Sequence, residues 1–560
     1  MIMAEKIYEA ALKYSIKNAF EHDGKSQVGA VVGKVKALFP EVDLKKEMPS
    51  ITKAVSEANS MNKEELIKKY NAFASEGWEL KHVEKEKTLP ELDWFKPGMK
   101  LITRMAPNPN GVMHFGHARP AVLADEYLKK YGGTMALRFD DTDPKVKIPV
   151  AGIEKEFIKD FTWLGIKFDE VSNASDKLDR YYEIIEQLIE MGKAYVCNCE
   201  SEEWRKLIWK SKACPCREKS VKVQMEKWQD MLIHKIKEEE AVVRIKTNLK
   251  DPDPSTRDWW AAKVVDKIDH PNPRVKDKHV WPSYNLASAV DDHDMGINFI
   301  IRGQEHISNE EKQKEMWKYL GWEDYPHCYY HGKISKIGDM TLSKSKMKLI
   351  MEQLGVERYD DPRMATIQAF RRRGFTPEAL RKVIIDCGLS LKEVKITLEM
   401  FAAGNKAVLG DASSFPFFEE AVPVEIYNLI PGEEDCYGEQ VNFDNALEKV
   451  FIDKKELAKY KTKKDALVRF KKAFNAKITE ATEFEGKAMF VSYLKTEYPV
   501  VSWVDELVDV EIVMSDGTTK RGFSSPSLLT AKGIVHFEGL GYANIEAKEK
   551  GIVKCVYSYA

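Results

Sequence analysis

Residues 100–141 read KLITRMAPNPNGVMHFGHARPAVLADEYLKKYGGTMALRFDD, and this stretch decides the fold. Lys100 to Met105 is a short β-rich run, followed by a turn of prolines, asparagines and glycine. A helical pattern then runs from about His117 to Tyr131. A second apolar run, Thr134 to Phe139, ends in Asp140 and Asp141. Strand, loop, helix and strand in about 40 residues make a βαβ unit, the building block of a parallel sheet. Ligands of such sheets bind beyond the carboxyl ends of the strands. Both strands deliver charge to that edge, Arg104 from the first and Asp140 from the second.

Outward from this unit the texture changes in blocks. Residues 1–97 read as a helical extension interrupted by Gly24 and Gly33. The DGKS at 23–26 lacks the earlier glycine of a phosphate loop, since Ala19 stands in its place. Residues 98–175 form the first half of the α/β domain, and 176–255 an amphipathic helical insert carrying a cysteine cluster. Residues 256–350 return to α/β texture, with Asn298 to Arg302 as another strand ending at a charge. Residues 351–410 read as helical, with a helix start at Thr376-Pro377-Glu378. Beyond about 411 short alternating runs separated by Gly, Asp and Pro predict small antiparallel β-barrels.

Composition narrows the classes. At 560 residues the chain is too long for one domain. Its 43% hydrophobic and 31% charged content is that of a soluble globular protein, not of a disordered tail or a disulfide scaffold. No apolar run reaches the roughly 18 residues that span a bilayer, and the N-terminus lacks a signal-peptide pattern. The expectation is a cytoplasmic monomer that makes no membrane contact. A net charge of -2 leaves a polyanionic partner open, because the placement of positive charge matters more than its sum. Eight cysteines are few, and four fall within twenty residues, pointing to a metal site before disulfides.

Two constellations suit phosphate chemistry. His114-Phe115-Gly116-His117 lies where a strand-following loop enters a helix. A helix N-terminus carries partial positive charge and unpaired N–H groups, and imidazoles there can donate to phosphate oxygens as pyrophosphate leaves. Gly116 there lets a flat base approach the backbone. Leu342-Ser343-Lys344-Ser345-Lys346 lies in a segment, 333–348, with five lysines and one aspartate. A mobile lysine-rich loop can close over a triphosphate; a solvated basic loop is its plain alternative. A third constellation, Cys197-x-Cys199 with Cys214-x-Cys216, supplies four thiolates for a closed, structural Zn²⁺ site.

Taken together, HFGH and LSKSK resemble the signature pair of class I aminoacyl-tRNA synthetases. RMAPNPNGVMHFGHARPAVLADEY, LRFDDTDP, WPSYNLASAVDDHDMGINFIIRGQEHISN and TLSKSKM resemble the glutamyl-tRNA synthetases of the archaeal and eukaryotic branch. The likeness is strong over about 98–350, moderate to 420 and weaker at both ends. It implies a Rossmann-type catalytic domain with an inserted acceptor-end-binding domain, a helical stem-contact domain and anticodon-binding barrels. It further implies ATP with Mg²⁺, L-glutamate and tRNA as substrates, and a glutamyl-adenylate intermediate.

The resemblance assigns residues as well. His114 and His117 hold the ATP phosphates with Pro107, Asn108, Gly111, Gly116 and Ser343. Lys344 takes the place of the second lysine of the KMSKS signature, whose first lysine is Thr341 here; Lys346 compensates for it. Arg104 receives the glutamate side-chain carboxylate, Asp140 the ammonium, Arg302 a carboxylate, and Tyr284 supplies a pocket hydroxyl. The competing reading of these charges is structural pairing, such as Arg138 with Asp141. An arginine at 302 favours glutamate, since a buried arginine without an anion would be costly in a glutamine site. Arg371–Arg373, Lys382 and the 333–348 lysines offer a stripe for tRNA, with solvated helix faces as the alternative. The rivals are a glutaminyl-tRNA synthetase and, more distantly, a nucleotidyltransferase using HxGH. Charging of glutamine tRNA as well as glutamate tRNA stays open at this level.

Overall fold

A computed structural model describes residues 2–21, 25–39, 43–75, 89–354, 358–429, 433–435, 440–442, 449–494 and 496–560. Two compact units divide the chain, Met1–Glu86 and Lys87–Ala560.

The first unit holds the helices Ile2–Glu21, Val28–Leu38, Leu44–Ser60 and Lys63–Ser75. Ile7, Ala11, Val31, Val35, Ile51, Ala54 and Val55 form its own core. Gly33 sits inside the second helix and does not interrupt it; Gly24 lies outside the described residues. The expected extension to residue 97 is not all helical. Residues 89–97 contain no helix, and Leu92 packs into the core of the second unit.

The second unit is built on a five-stranded parallel sheet. Its order is Glu170–Asn173, Gly133–Phe139, Leu101–Met105, Phe299–Gly303 and His327–His331. The chain runs outward in both directions from Leu101–Met105. A crevice therefore opens between this strand and Phe299–Gly303, the switch point at which such sheets take ligands. The helix Phe115–Tyr131 links the first two strands, burying Phe115, Val122 and Tyr127 against Leu137, Phe139 and Phe299. Gly133 opens the second strand at φ +134°, where an added Cβ would lie 1.9 Å from the Leu101 carbonyl oxygen. Only glycine lets the strand start so close to its neighbour.

Between the two halves of this sheet stands a second sheet, antiparallel, in the order Ala194–Cys197, Val242–Ile245, Trp260–Val264 and Val280–Pro282. The expected insert boundary at 255 falls within this sheet. Two further strands, read as α/β texture, complete it, and Trp281 and Val264 share one core with Tyr181, Leu188 and Trp228.

The C-terminal strands form two sheets that close on themselves. In the first, Val500–Val501 pairs with Ala466–Phe470 while Trp503–Val504 pairs with Lys449–Asp453. The short segment 500–504 thus joins both edges. In the second, Ser414–Phe415 pairs with Ile534–Phe537, and Phe418 exchanges backbone hydrogen bonds with Phe523 on the other edge. Pairing is mixed where antiparallel pairing was expected. Ala421–Tyr427 runs parallel to Gly486–Ser492, and Val508–Val513 parallel to Ile552–Tyr559. Among the described residues no helix is long and apolar enough to cross a membrane.

Candidate functional site

The carboxyl edge of the parallel sheet borders a cavity of about 810 Å³. Of the residues expected to bind nucleotide or amino acid, Pro107, Asn108, His114, Gly116, His117, Asp140 and Tyr284 line it. Leu342 of the LSKSK segment lines it too. The insert contributes Trp260, Lys263 and Trp281, residues the sequence did not single out. Arg104 and Arg302 are buried at the strand ends. Arg104 and Arg302, like Gly111, Ser343 and Lys346, are not among the lining residues. Lys344 begins the helix Lys344–Leu354, and its side chain lies outside the described residues.

His114 caps the helix it precedes. Its Nδ1 accepts the Gly116 backbone N–H at 3.1 Å, and His117 Nδ1 accepts the His114 N–H at 3.3 Å. This reciprocal cap satisfies two orphan N–H groups of the first turn. It also fixes the chemistry, because a neutral ring accepting through Nδ1 carries its proton on Nε2. The two rings stack at 3.9 Å. A Cβ at position 116 would come within 2.8 Å of the His114 ring, so any side chain there would crowd the cap. Nearby, Asn108 donates to the Asp140 carbonyl at 2.9 Å and holds the loop against the second strand's end.

The charges at the strand ends form a buried network. Arg104 donates through Nε and Nη2 to Asp292 at 3.0 and 3.1 Å. Arg138 donates to Asp292 at 2.7 Å and to Asp140 at 3.0 Å, and lies 3.4 Å from Asp291. The expected pairing of Arg138 with Asp141 is therefore corrected to Asp140, Asp291 and Asp292. Asp141 instead accepts from Asn173 and Ser175 and braces the loop. Burial pushes the Asp140 carboxyl up to about 6, against the pull of Arg138 and Arg104. Burial also opposes ionisation of Asp292, but the same two arginines overcome it and hold that carboxyl well below the ordinary range.

Arg302 is different. Its Nη1 donates to Gln313 at 3.0 Å, and Nη2 faces Tyr325, Cys328 and Tyr330 at 3.4–3.5 Å. The nearest carboxylate, Glu310, is 4.0 Å away, and the buried Nε has no partner. Glu310 is itself engaged by Tyr330 and Lys314. Burial and the Arg302 charge push His306, in the cavity wall, down to about 4, so the ring is neutral near pH 7.

Each arginine of the basic triplet expected along tRNA has partners within the chain. Arg371 pairs with Asp160 at 2.7 Å and Arg372 with Glu546 at 2.7 Å. Arg373 is fully buried and donates to the carbonyls of Pro362, Tyr557 and Ser558. Lys382 lies 3.4 Å from Asp386.

The four cysteines converge. Cys197 and Cys214 Sγ lie 3.8 Å apart, Cys199 and Cys216 Sγ 3.7 Å, and all four fall within 4.8 Å of one another. Zn–S bonds of about 2.3 Å at tetrahedral angles set neighbouring sulfurs about 3.8 Å apart, so the quartet fits that ion. Gln224 ties the cluster to the insert sheet, donating to the Cys216 carbonyl at 2.7 Å and accepting from Val196 N–H at 2.8 Å.

Residues 100–411 match the family model for the catalytic domain of class I tRNA synthetases (E and Q). Over 99% of its length the chain is 39% identical to the glutamate–tRNA ligase of Pyrococcus furiosus, covering 100% of it. To the glutamate–tRNA ligase of Pyrococcus abyssi it is 40% identical, with the same coverage. A solved glutamate tRNA ligase from Elizabethkingia meningosepticum aligns with 56% of this chain and 70% of its own, at 21% identity and a TM-score of 0.40.

Proposed function

Because this chain belongs to the glutamate–tRNA ligases of archaeal type, within the class I synthetases for glutamate and glutamine, we propose that it joins L-glutamate to its tRNA through glutamyl-adenylate. The α-carboxylate attacks the α-phosphate of Mg·ATP and expels pyrophosphate. The 2′-hydroxyl of the terminal adenosine then attacks the activated carbonyl and releases AMP. The protein forms no bond of its own; it positions the reactants and stabilises charge.

The observation that carries the reading is Arg302, a buried cation whose nearest carboxylate stands 4.0 Å off and whose Nε lacks an acceptor. A glutamate carboxylate supplies the missing anion, whereas a glutamine amide would leave the charge uncompensated. Asp140 meets the ammonium, and Tyr284 offers its hydroxyl. Arg104 takes part with what its pairing to Asp292 leaves. His114 and His117 donate to the phosphates through Nε2, beside Pro107, Asn108, Gly111 and Gly116. Ser343, Lys344 and Lys346 close over the leaving pyrophosphate. Cys197, Cys199, Cys214 and Cys216 hold a structural Zn²⁺ that braces the insert against the acceptor end. The two closed β-sheets read the anticodon, and activation waits for bound tRNA.

The test is aminoacylation with labelled glutamate and, in parallel, labelled glutamine, on separately purified glutamate and glutamine tRNAs. Glutamate on its own tRNA alone identifies a discriminating enzyme, and glutamate on both tRNAs a non-discriminating one. Preference for glutamine would overturn the role of Arg302.

A further inference from the structure

Asp292 is buried and is not among the residues that line the cavity, yet it pairs with two arginines beside the amino-acid site. Its carboxylate accepts both arms of Arg104 and one arm of Arg138, while Ser288 Oγ stands 3.4 Å from Oδ2. Arg138 in turn donates through Nε to Asp140 and through Nη2 to Ser288. One carboxylate on the helix Tyr284–Asp294 thus clamps side chains from both strands of the βαβ unit.

We propose that Asp292 is a positioning residue for the amino-acid site, fixing Arg104 directly and setting the orientation and charge of Asp140 through Arg138. This rests on the reading of Asp140 as the ammonium partner. The charged groups acting on Asp140 are Arg138, Arg104 on the neighbouring strand and Asp291 on the helix, and Asp292 reaches it through Arg138. Asp291 is also held by Lys177 at 3.2 Å and Tyr181 at 2.9 Å. With both arginines and Lys177 charged and all three aspartates ionised, the cluster is neutral, and removing any one charge changes what Asp140 feels.

The signs follow from that balance. Asp292→Asn removes an anion that Arg104 and Arg138 now neutralise, so their positive field falls more fully on Asp140 and favours its ionised form. The acid limb of kcat/KM for glutamate moves to lower pH, by about one unit. Freed of its clamp, Arg104 loses its fixed direction, and KM for glutamate rises about tenfold while KM for ATP holds. Lys177→Met leaves Asp291 less compensated and moves the same limb to higher pH, by about half a unit. Lys177 is partly exposed, so this second variant tests the network even where Asp292→Asn fails to fold.

The experiment is the pH profile of tRNA charging by the full chain, for wild type and both variants. Shifts of opposite sign support the proposal. An acid limb that stays put in the folded variants, or ATP and glutamate KM values rising together, overturns it. A wild-type profile with no limb near pH 6 instead overturns the role given to Asp140.

Discussion

At His117 two demands meet in one ring. Nδ1 caps the helix by accepting from His114 N–H, which leaves the proton of a neutral ring on Nε2, the donor that the proposed role on phosphate needs. His117→Ala removes cap and donor together. Adenylate formation, read as pyrophosphate exchange in the presence of tRNA, is expected to fall about 100- to 1,000-fold, with the circular dichroism spectrum retained. In the proposed role of Asp140 as the ammonium partner, its carboxyl sets the pH response. Its carboxyl is raised to about 6 by burial, so it ionises only above that value. Below pH 6 the protonated form offers the ammonium no charge, and kcat/KM for glutamate should fall about tenfold per unit; a profile flat to pH 5 would remove Asp140 from the site. Arg302→Gln should raise KM for glutamate by about two orders of magnitude, measured with saturating ATP and tRNA. HFGH was legible as a motif, because its spacing marks a helix entrance. Asp292 was not, because nothing in DDHD says which aspartates turn inward or what they meet there.

Elements were legible where periodicity alone decides. The strands expected at 100–105 and 134–139 appear as Leu101–Met105 and Gly133–Phe139, and the helix between them as Phe115–Tyr131. The insert was harder. Its strands are short and separated by long excursions, so Trp260–Val264 and Val280–Pro282 carry no local sign of the sheet they finish. Mixed pairing in the C-terminal sheets was hidden for the same reason: alternation reveals a strand's face, not its partner's direction. The cysteine knuckle, by contrast, declared itself through spacing, and its sulfur separations suit zinc. Elemental analysis of the purified chain should find one zinc per molecule, lost in Cys199→Ser. The loss should lower the thermal midpoint of the insert by several degrees and leave the helix start that holds His117 intact. A metal-free protein of unchanged stability would make the four thiols an idle cluster.

Across the whole molecule, the chain divides into two units, each with a core of its own. Every residue lining the cavity lies between Met105 and Leu342, and the helices before Glu86 have a core of their own. Composition placed the change of texture at Pro97, but packing places it earlier. Leu92 is buried in the core of the second unit, its N–H donating to Tyr131 Oη at 3.0 Å, and Tyr127 Oη donates to the Pro90 carbonyl at 2.9 Å. Trp94 stacks on His327 at 3.9 Å, donates to Tyr329 Oη at 3.2 Å, and so covers the strand His327–His331. That strand pairs Arg302 with Tyr330 and ends at His331 in the cavity wall. A chain beginning at Lys87 should therefore fold and keep glutamate activation. One beginning at Met99 loses Leu92, Trp94 and Phe95 from the core, a cost of about 5 kcal/mol or more from buried side chains alone. Its thermal midpoint should drop sharply and KM for glutamate should rise, because the sheet edge that supports Arg302 has lost its cover. Thermal melts and charging assays on the two truncations decide the matter. Equal stability would mean that 89–97 merely lies on the sheet, whereas failure of both would make the first unit part of the fold that builds the site.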